Sequence, residues 1–347
     1  MKNQNYLISV LQIFAIILVV IGHSFYEAEN LMVKDWIYTF HMPLFMLISG
    51  FLLQYTMQLK DQFSSPITLH QYGGFFAGKA KRLLIPYLVF STTVYALKLF
   101  MSSYTHHPVD GAFSSYAHML LYPWDNVIIQ LWFLPTLFLV FFVVYSLLSI
   151  VINSGLKLNS ETQKKYSLGI ELVLLMAFLL LHLLDVCSTV RFLNMSGVIY
   201  YLIYFYAGFL LSKYDAVNQL EKHKYWNFAI SFLLSIVLML LPKFRGLDVV
   251  MAFNGIWMSI SLGQIYLARE WKFLHPYFGS SYAIYLFSYF PLMFCQPILV
   301  EYAHIPLWLS HILAAVTGFY LPYVLYLIIK KYKNTKVGAV VALLTGQ

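Results

Sequence analysis

The sequence predicts an all-α fold, a polytopic membrane helix bundle of about ten transmembrane helices with both termini cytoplasmic. Three observations predict it. Hydrophobic residues make up 61% of the 347 positions and charged residues only 10%, too little polar surface to cover a water-soluble globule. Apolar runs of about 20 residues, the length a helix needs to cross a bilayer, recur along the chain. With the amino terminus inside, seventeen of the 22 Lys and Arg fall on the inner side, against Lys34, Arg191, Lys243 and Arg245 outside and Lys98 within a span. That bias sets orientation and accounts for the net charge of +8. The basic residues are scattered over separate short loops, which excludes a nucleic-acid-binding stripe.

The first run, about 6–26, reads as a permanent span, because no small-residue cleavage site follows "IGHSFYEAEN" and another apolar run comes at once. The next spans are placed at about 31–53, 83–103, 128–153, 168–186, 192–212, 226–242, 249–268, 278–299 and 307–329. The longest loops, 54–82 inside and 104–127 outside, are too short for an independent core. Residues 1–330 therefore make one integral bundle and 331–347 a short basic cytoplasmic tail. Its segment "NTKVGAVVALLTGQ" is too short to span and is expected on the surface or disordered. Cys187 and Cys295 make no disulfide framework and fit no metal spacing, so no metal is expected. No GxGxxG, Walker loop, HExxH or GxSxG is present, which excludes the soluble enzyme classes those motifs mark.

The chemistry then rests on polar residues inside the spans, where an ionisable group is costly and marks a functional candidate. In "LQIFAIILVVIGHSF" (11–25) the eleven steps from Gln12 to His23 make three helical turns plus about 20°, so both share one face about 16 Å apart. A lone histidine there also fits a satisfied interhelical hydrogen bond. The second span carries "FHMPLFMLISGF", where Pro43 should bend or open the helix beside His41, and Ser49 and Gly50 permit close helix approach. A short outer loop makes these two spans antiparallel neighbours. Their two histidines face one cavity or line a kinked packing seam. At the inner mouth of the third span, "KAKRLLIPY" puts Lys79 and Arg82 on one face, with Pro86 marking a break or bend. These cations suit the phosphates of a nucleotide-like ligand or, equally, lipid head groups. His182 and Asp185, one turn apart, are a weaker pair. The aromatics of "LLYPWDN" read as interfacial belt before sugar platform.

Together these landmarks resemble the acyltransferase family 3 membrane proteins, most closely the branch of fucose 4-O-acetylase and related acetyltransferases. His23 stands at the family's essential histidine, and Gln12 at the position, eleven residues earlier, where the family usually keeps a basic residue. "LWFLPTLFLVF" (131–141) is similar to its Trp-Phe-Leu span and "FGSSYAIYLFSYF" (278–290) to its late Gly-Ser-Tyr span. The landmarks follow in family order over about 6–330. Ser288 departs from relatives that place histidine after "IYLF".

The resemblance implies a membrane O-acyltransferase that takes an acyl group, often acetyl, from cytoplasmic acetyl-CoA or another acyl-CoA. The acceptor would be a sugar hydroxyl of a cell-envelope polysaccharide or lipid-linked glycan, at the bacterial cytoplasmic membrane. His23 would be the general base, since histidine titrates nearest neutrality, with His41 as orienting partner or second proton handler. An acyl-His23 intermediate is a variant. Gln12, Lys79 and Arg82 would bind the CoA donor, and Ser49, Trp132 and Tyr285 would support substrate or structure. The bilayer, acyl-CoA and the sugar are the expected partners, with homo-oligomerisation left open. The alternative is a polysaccharide or lipid-linked-sugar exporter without acyl transfer.

Overall fold

The computed structural model describes residues 2–25, 31–100, 109, 111–155 and 160–346, which contain helices and turns and no strand. Residue 26 of the expected first span, residues 101–103 of the third and Lys157 of the inner charge count lie outside the described residues. The helices are α1 (Lys2–Ser24), α2 (Met32–Leu59), α3 (Leu69–Phe100), α4 (Phe113–Leu121), α5 (Phe133–Gly155), α6 (Ser160–Leu183), α7 (Met195–Lys213), α8 (Ala216–Leu220), α9 (Lys224–Leu240), α10 (Leu247–Ala268), α11 (Ser281–Phe287), α12 (Tyr289–Pro297), α13 (Leu307–Tyr332) and α14 (Lys336–Leu344). Among the described residues nine helical stretches are long and apolar enough to cross a membrane. The pair α11 and α12, bent by 43° at Ser288, would make a tenth. The expected polytopic helix bundle is the fold found.

Two boundaries correct the sequence reading. α3 begins at Leu69, well before the expected residue 83, and α2 continues to Leu59, so the inner connection covers 60–68 and not 54–82. The cause is a capping box in "TLHQ": the Thr68 hydroxyl accepts from the Gln71 backbone N–H (3.3 Å), and Gln71 Oε1 accepts from the Thr68 N–H (2.9 Å). At 32 residues α3 is about 48 Å long, so its charged first turns extend past the ~30 Å hydrocarbon core. Neither Pro43 nor Pro86 ends its helix; each sits inside continuous α-helix. In a packed bundle, neighbouring groups can re-satisfy the carbonyl that proline leaves without its donor. The tail is ordered: Thr335 caps α14 by accepting from the Gly338 N–H (3.0 Å), and α14 packs on α3.

The chain forms two compact units, 1–55 with 207–331, and 56–206 with 332–347. In the first, α10 packs on α9 and α1, and α1 also meets α11 and α12. Two glycines permit the close approaches that hold α2. A Cβ on Gly255 would overlap the Phe40 ring, and one on Gly208 would overlap the Leu47 carbonyl. Asn254 of α10 donates to the Ser231 carbonyl (2.9 Å) and the Ser235 hydroxyl (2.8 Å) of α9. In the second unit α3 packs along α5. Asn153 pins the start of α3, accepting from the Ile67 N–H at 2.8 Å and donating to its carbonyl at 3.2 Å.

Candidate active site

In the first unit α1 ends one residue after His23, and α2 places Tyr38 and His41 one turn apart on one face. The Tyr38 ring meets both imidazoles edge-on, with centroids 5.8 Å from His23 and 5.0 Å from His41. The two expected histidines are thus brought to one tyrosine, which the sequence reading did not single out. His23 is half-buried and His41 fully buried.

The hydrogen bonds constrain the tautomers. His41 Nδ1 lies 2.8 Å from the Ile37 carbonyl, which only accepts, so Nδ1 carries the proton and the neutral ring keeps its lone pair on Nε2. His23 Nδ1 is 3.3 Å from the Tyr38 oxygen, and that hydroxyl donates to the Gly22 carbonyl at 3.4 Å. The Tyr38 hydroxyl has one proton for these two acceptors; in the tautomer where it goes to Gly22, His23 donates through Nδ1 and its Nε2 keeps a lone pair. Both Tyr38 contacts are long for hydrogen bonds involving a hydroxyl. Such a pair holds the ring without locking it.

Gln12, Ser49 and Tyr285 are the other expected residues of this unit. Gln12 is half-buried on α1. The Ser49 hydroxyl donates within its own helix to Phe45 (2.9 Å). Tyr285 is buried, and its carbonyl accepts from Ser288, which is itself fully buried at the α11–α12 bend (3.3 Å).

In the second unit Lys79 and Arg82 share α3, but their surroundings differ. The Lys79 ammonium lies 3.6 Å from the centroid of the Phe141 ring and 5.4 Å from that of Phe75, whereas Arg82 is exposed. Lys79 is therefore engaged in a cation–π contact. The His182–Asp185 pairing is replaced: His182 Nδ1–H donates to the Tyr200 carbonyl (3.0 Å), and Asp185 is exposed in the turn after α6.

Trp132 sits in a column of near-parallel rings. Trp124 stacks on it at 4.8 Å and 16°, and Tyr201 at 5.6 Å and 17°. Asn194 organises the column from a backbone in the left-handed region, shared with Leu193 (φ 53° and 49°). Its amide accepts from Trp124 Nε1–H (2.8 Å) and the Gly197 N–H (3.2 Å), and donates to Thr136 Oγ1 (2.7 Å). Two successive non-glycine residues at positive φ cost of order 1–3 kcal/mol each, and the buried amide bonds help hold them there.

No group of three or more His, Cys, Asp or Glu fit for a metal occurs among the described residues. No curated protein and no solved structure matches the chain. A family model described as an acyltransferase domain matches residues 5–327, nearly the whole bundle, in line with the landmarks read from the spans. The chain belongs to the acyltransferase family 3 membrane proteins.

Proposed function

We propose that this membrane acyltransferase moves an acyl group, acetyl in the simplest case, from acyl-CoA to a sugar hydroxyl of a cell-envelope glycan, with His23 as general base. The observation that supports this most is the His23–Tyr38–His41 cluster. It offers two imidazoles on adjoining helices, both against one tyrosine, in a chain whose family is acyltransferase. His23 Nε2 takes the proton from the acceptor hydroxyl as the oxygen attacks the thioester carbonyl. The C–S bond then breaks, and the leaving thiolate takes that proton back from Nε2. Tyr38 accepts from Nδ1–H and holds the ring in the tautomer this needs. His41 is the second proton handler.

The donor's phosphates are assigned to cations of α3. Arg82, exposed and able to form a bidentate fork, is the primary ligand, and Lys79, already over Phe141, is secondary. Gln12, in the family's basic position, contributes hydrogen bonds to the donor without charge. The acceptor lies outside and the donor inside, as the charge bias of the loops orients the chain.

The test is transfer of labelled acetyl from acetyl-CoA to a sugar by the purified full chain in lipid nanodiscs, read by mass spectrometry of the product. Transfer is expected in the wild type and abolished in His23→Ala. Unchanged transfer in that variant would remove His23 as the base. A label on His23 that forms before sugar is added and is released by hydroxylamine would replace direct transfer by the acyl-histidine route.

A further inference from the structure

The aromatic column of Trp124, Trp132 and Tyr201 has one open end. Trp132 is 9% exposed and stacks on two rings, whereas Trp124 is 41% exposed and, among the described residues, stacks on Trp132 alone. A tryptophan that serves only as a membrane-interface anchor keeps its N–H toward the wet side. Here the N–H is turned inward to Asn194 Oδ1 (2.8 Å), which fixes the plane of the ring and leaves its face, and not its polar edge, for an outside molecule. The strained Leu193–Asn194 turn and the Asn194 bonds to Thr136 and Gly197 pre-organise that plane.

A carboxylate follows Trp124 in the chain. It is Asp125, which is exposed and accepts from His118 Nε2–H through Oδ2 at 3.0 Å. His118 in turn stacks on Tyr122 at 4.2 Å and 16°. The second carboxylate oxygen, Oδ1, makes no hydrogen bond to a described residue. A half-exposed indole whose neighbour in the chain is an exposed carboxylate complements a pyranose ring, whose axial C–H face is apolar and whose equatorial hydroxyls donate around its rim. By the charge bias this segment, between the third and fourth spans, is on the outer side. We infer that Trp124, with Asp125 and His118, is a carbohydrate-binding platform for the sugar acceptor. This rests on the sugar-acceptor reading above and adds to it the residues that bind the sugar.

The full chain in lipid nanodiscs is titrated, without acyl-CoA, with the methyl glycosides of glucose, galactose, N-acetylglucosamine and fucose. Tryptophan fluorescence and calorimetry report binding. At least one glycoside is expected to give saturable quenching. Its Kd should rise about tenfold or more in Trp124→Ala and in Trp124→Leu, which keeps apolar bulk without a π face, and about threefold or less in Trp124→Phe. Asp125→Asn should raise it several-fold. Absence of binding by all four glycosides overturns the platform, as does a Kd in Trp124→Leu equal to that of the wild type. Quenching of Trp124 by brominated phospholipid in place of glycoside overturns it as well, since the open face would then be a lipid contact. Acyl transfer is scored separately by mass spectrometry. Transfer to a glycoside that Trp124 substitutions do not weaken overturns the platform and keeps the proposed reaction. A glycoside that binds through Trp124 and is never acylated supports the platform and counts against that reaction.

Discussion

The histidine cluster of α1 and α2 and the aromatic column around Asn194 are both polar constellations in an apolar chain, and they are held in opposite ways. His41 is fixed by the carbonyl one turn back in its own helix, and His23 meets Tyr38 through contacts of 3.3 and 3.4 Å. The column draws on α5, α7, the 192–194 turn and the segment before α5, through side-chain bonds of 2.7 and 2.8 Å and two residues at positive φ. A loosely held imidazole can accept and return a proton without breaking its surroundings. A tightly held indole presents a fixed face. The first arrangement suits chemistry and the second suits recognition.

The largest expected effect separates those roles. His23→Ala should lower acyl transfer by about 10²–10⁴-fold, the usual worth of a positioned base, while glycoside binding stays within twofold of wild type. Parallel rate and binding measurements check this, and loss of both together would erase the contrast. Asn194→Ala comes next and should act on stability: it removes a cap and two buried amide bonds and leaves a Cβ-bearing residue in the left-handed region without compensation. A loss of about 2–4 kcal/mol is expected in denaturant unfolding followed by near-ultraviolet signals. Asn194→Gly, which relieves the backbone, should lose less.

Tyr38→Phe is the milder counterpart in the histidine cluster. It removes the acceptor for His23 Nδ1–H and keeps the ring, so kcat should fall about 3–10-fold with KM for acyl-CoA unchanged. A rise in KM alone would show that the tyrosine binds substrate and does not orient the base.

These differences also explain what could be read from the sequence. Most spans were legible because apolar length is a local property, and so were His23 and His41, since a histidine in such a run stands out whatever it touches. Tyr38 was one turn from His41 and readable as its neighbour, but its approach to His23 is tertiary. The start of α3 was written in "TLHQ" and lost because hydropathy, and not capping, placed the boundary. The bend at Ser288 was readable from Pro291, which has no N–H for the Phe287 carbonyl one turn back. Asn194 was invisible: it fell inside the expected span 192–212, and nothing local says that its amide reaches Trp124 and Thr136. Trp124 was read as belt for the same reason, because the destination of its N–H is not a sequence property.

A pair of glycines carries the comparison to its smallest effects. Gly197 lies beside Asn194 and Gly22 beside Tyr38, so each borders a key side chain. A Cβ on Gly197 would overlap the Asn194 amide, which is fully buried and tied to Thr136 and cannot withdraw; Gly197→Ala should cost about 1–3 kcal/mol and weaken glycoside binding. A Cβ on Gly22 would meet Tyr38 Cε2 at 3.4 Å and Ile37 Cγ2 at 3.5 Å, near ordinary contact distances, and Gly22 is helical. Replacing a helical glycine by alanine gains up to about 1 kcal/mol, so Gly22→Ala should leave stability unchanged or raise it by less than that, with kcat within twofold. Thermal unfolding and transfer rates of the two variants give the comparison directly. Equal damage from both would mean that the Tyr38 side of the histidine cluster is packed as rigidly as the column, and the loose hold on His23 would then be no part of how it works.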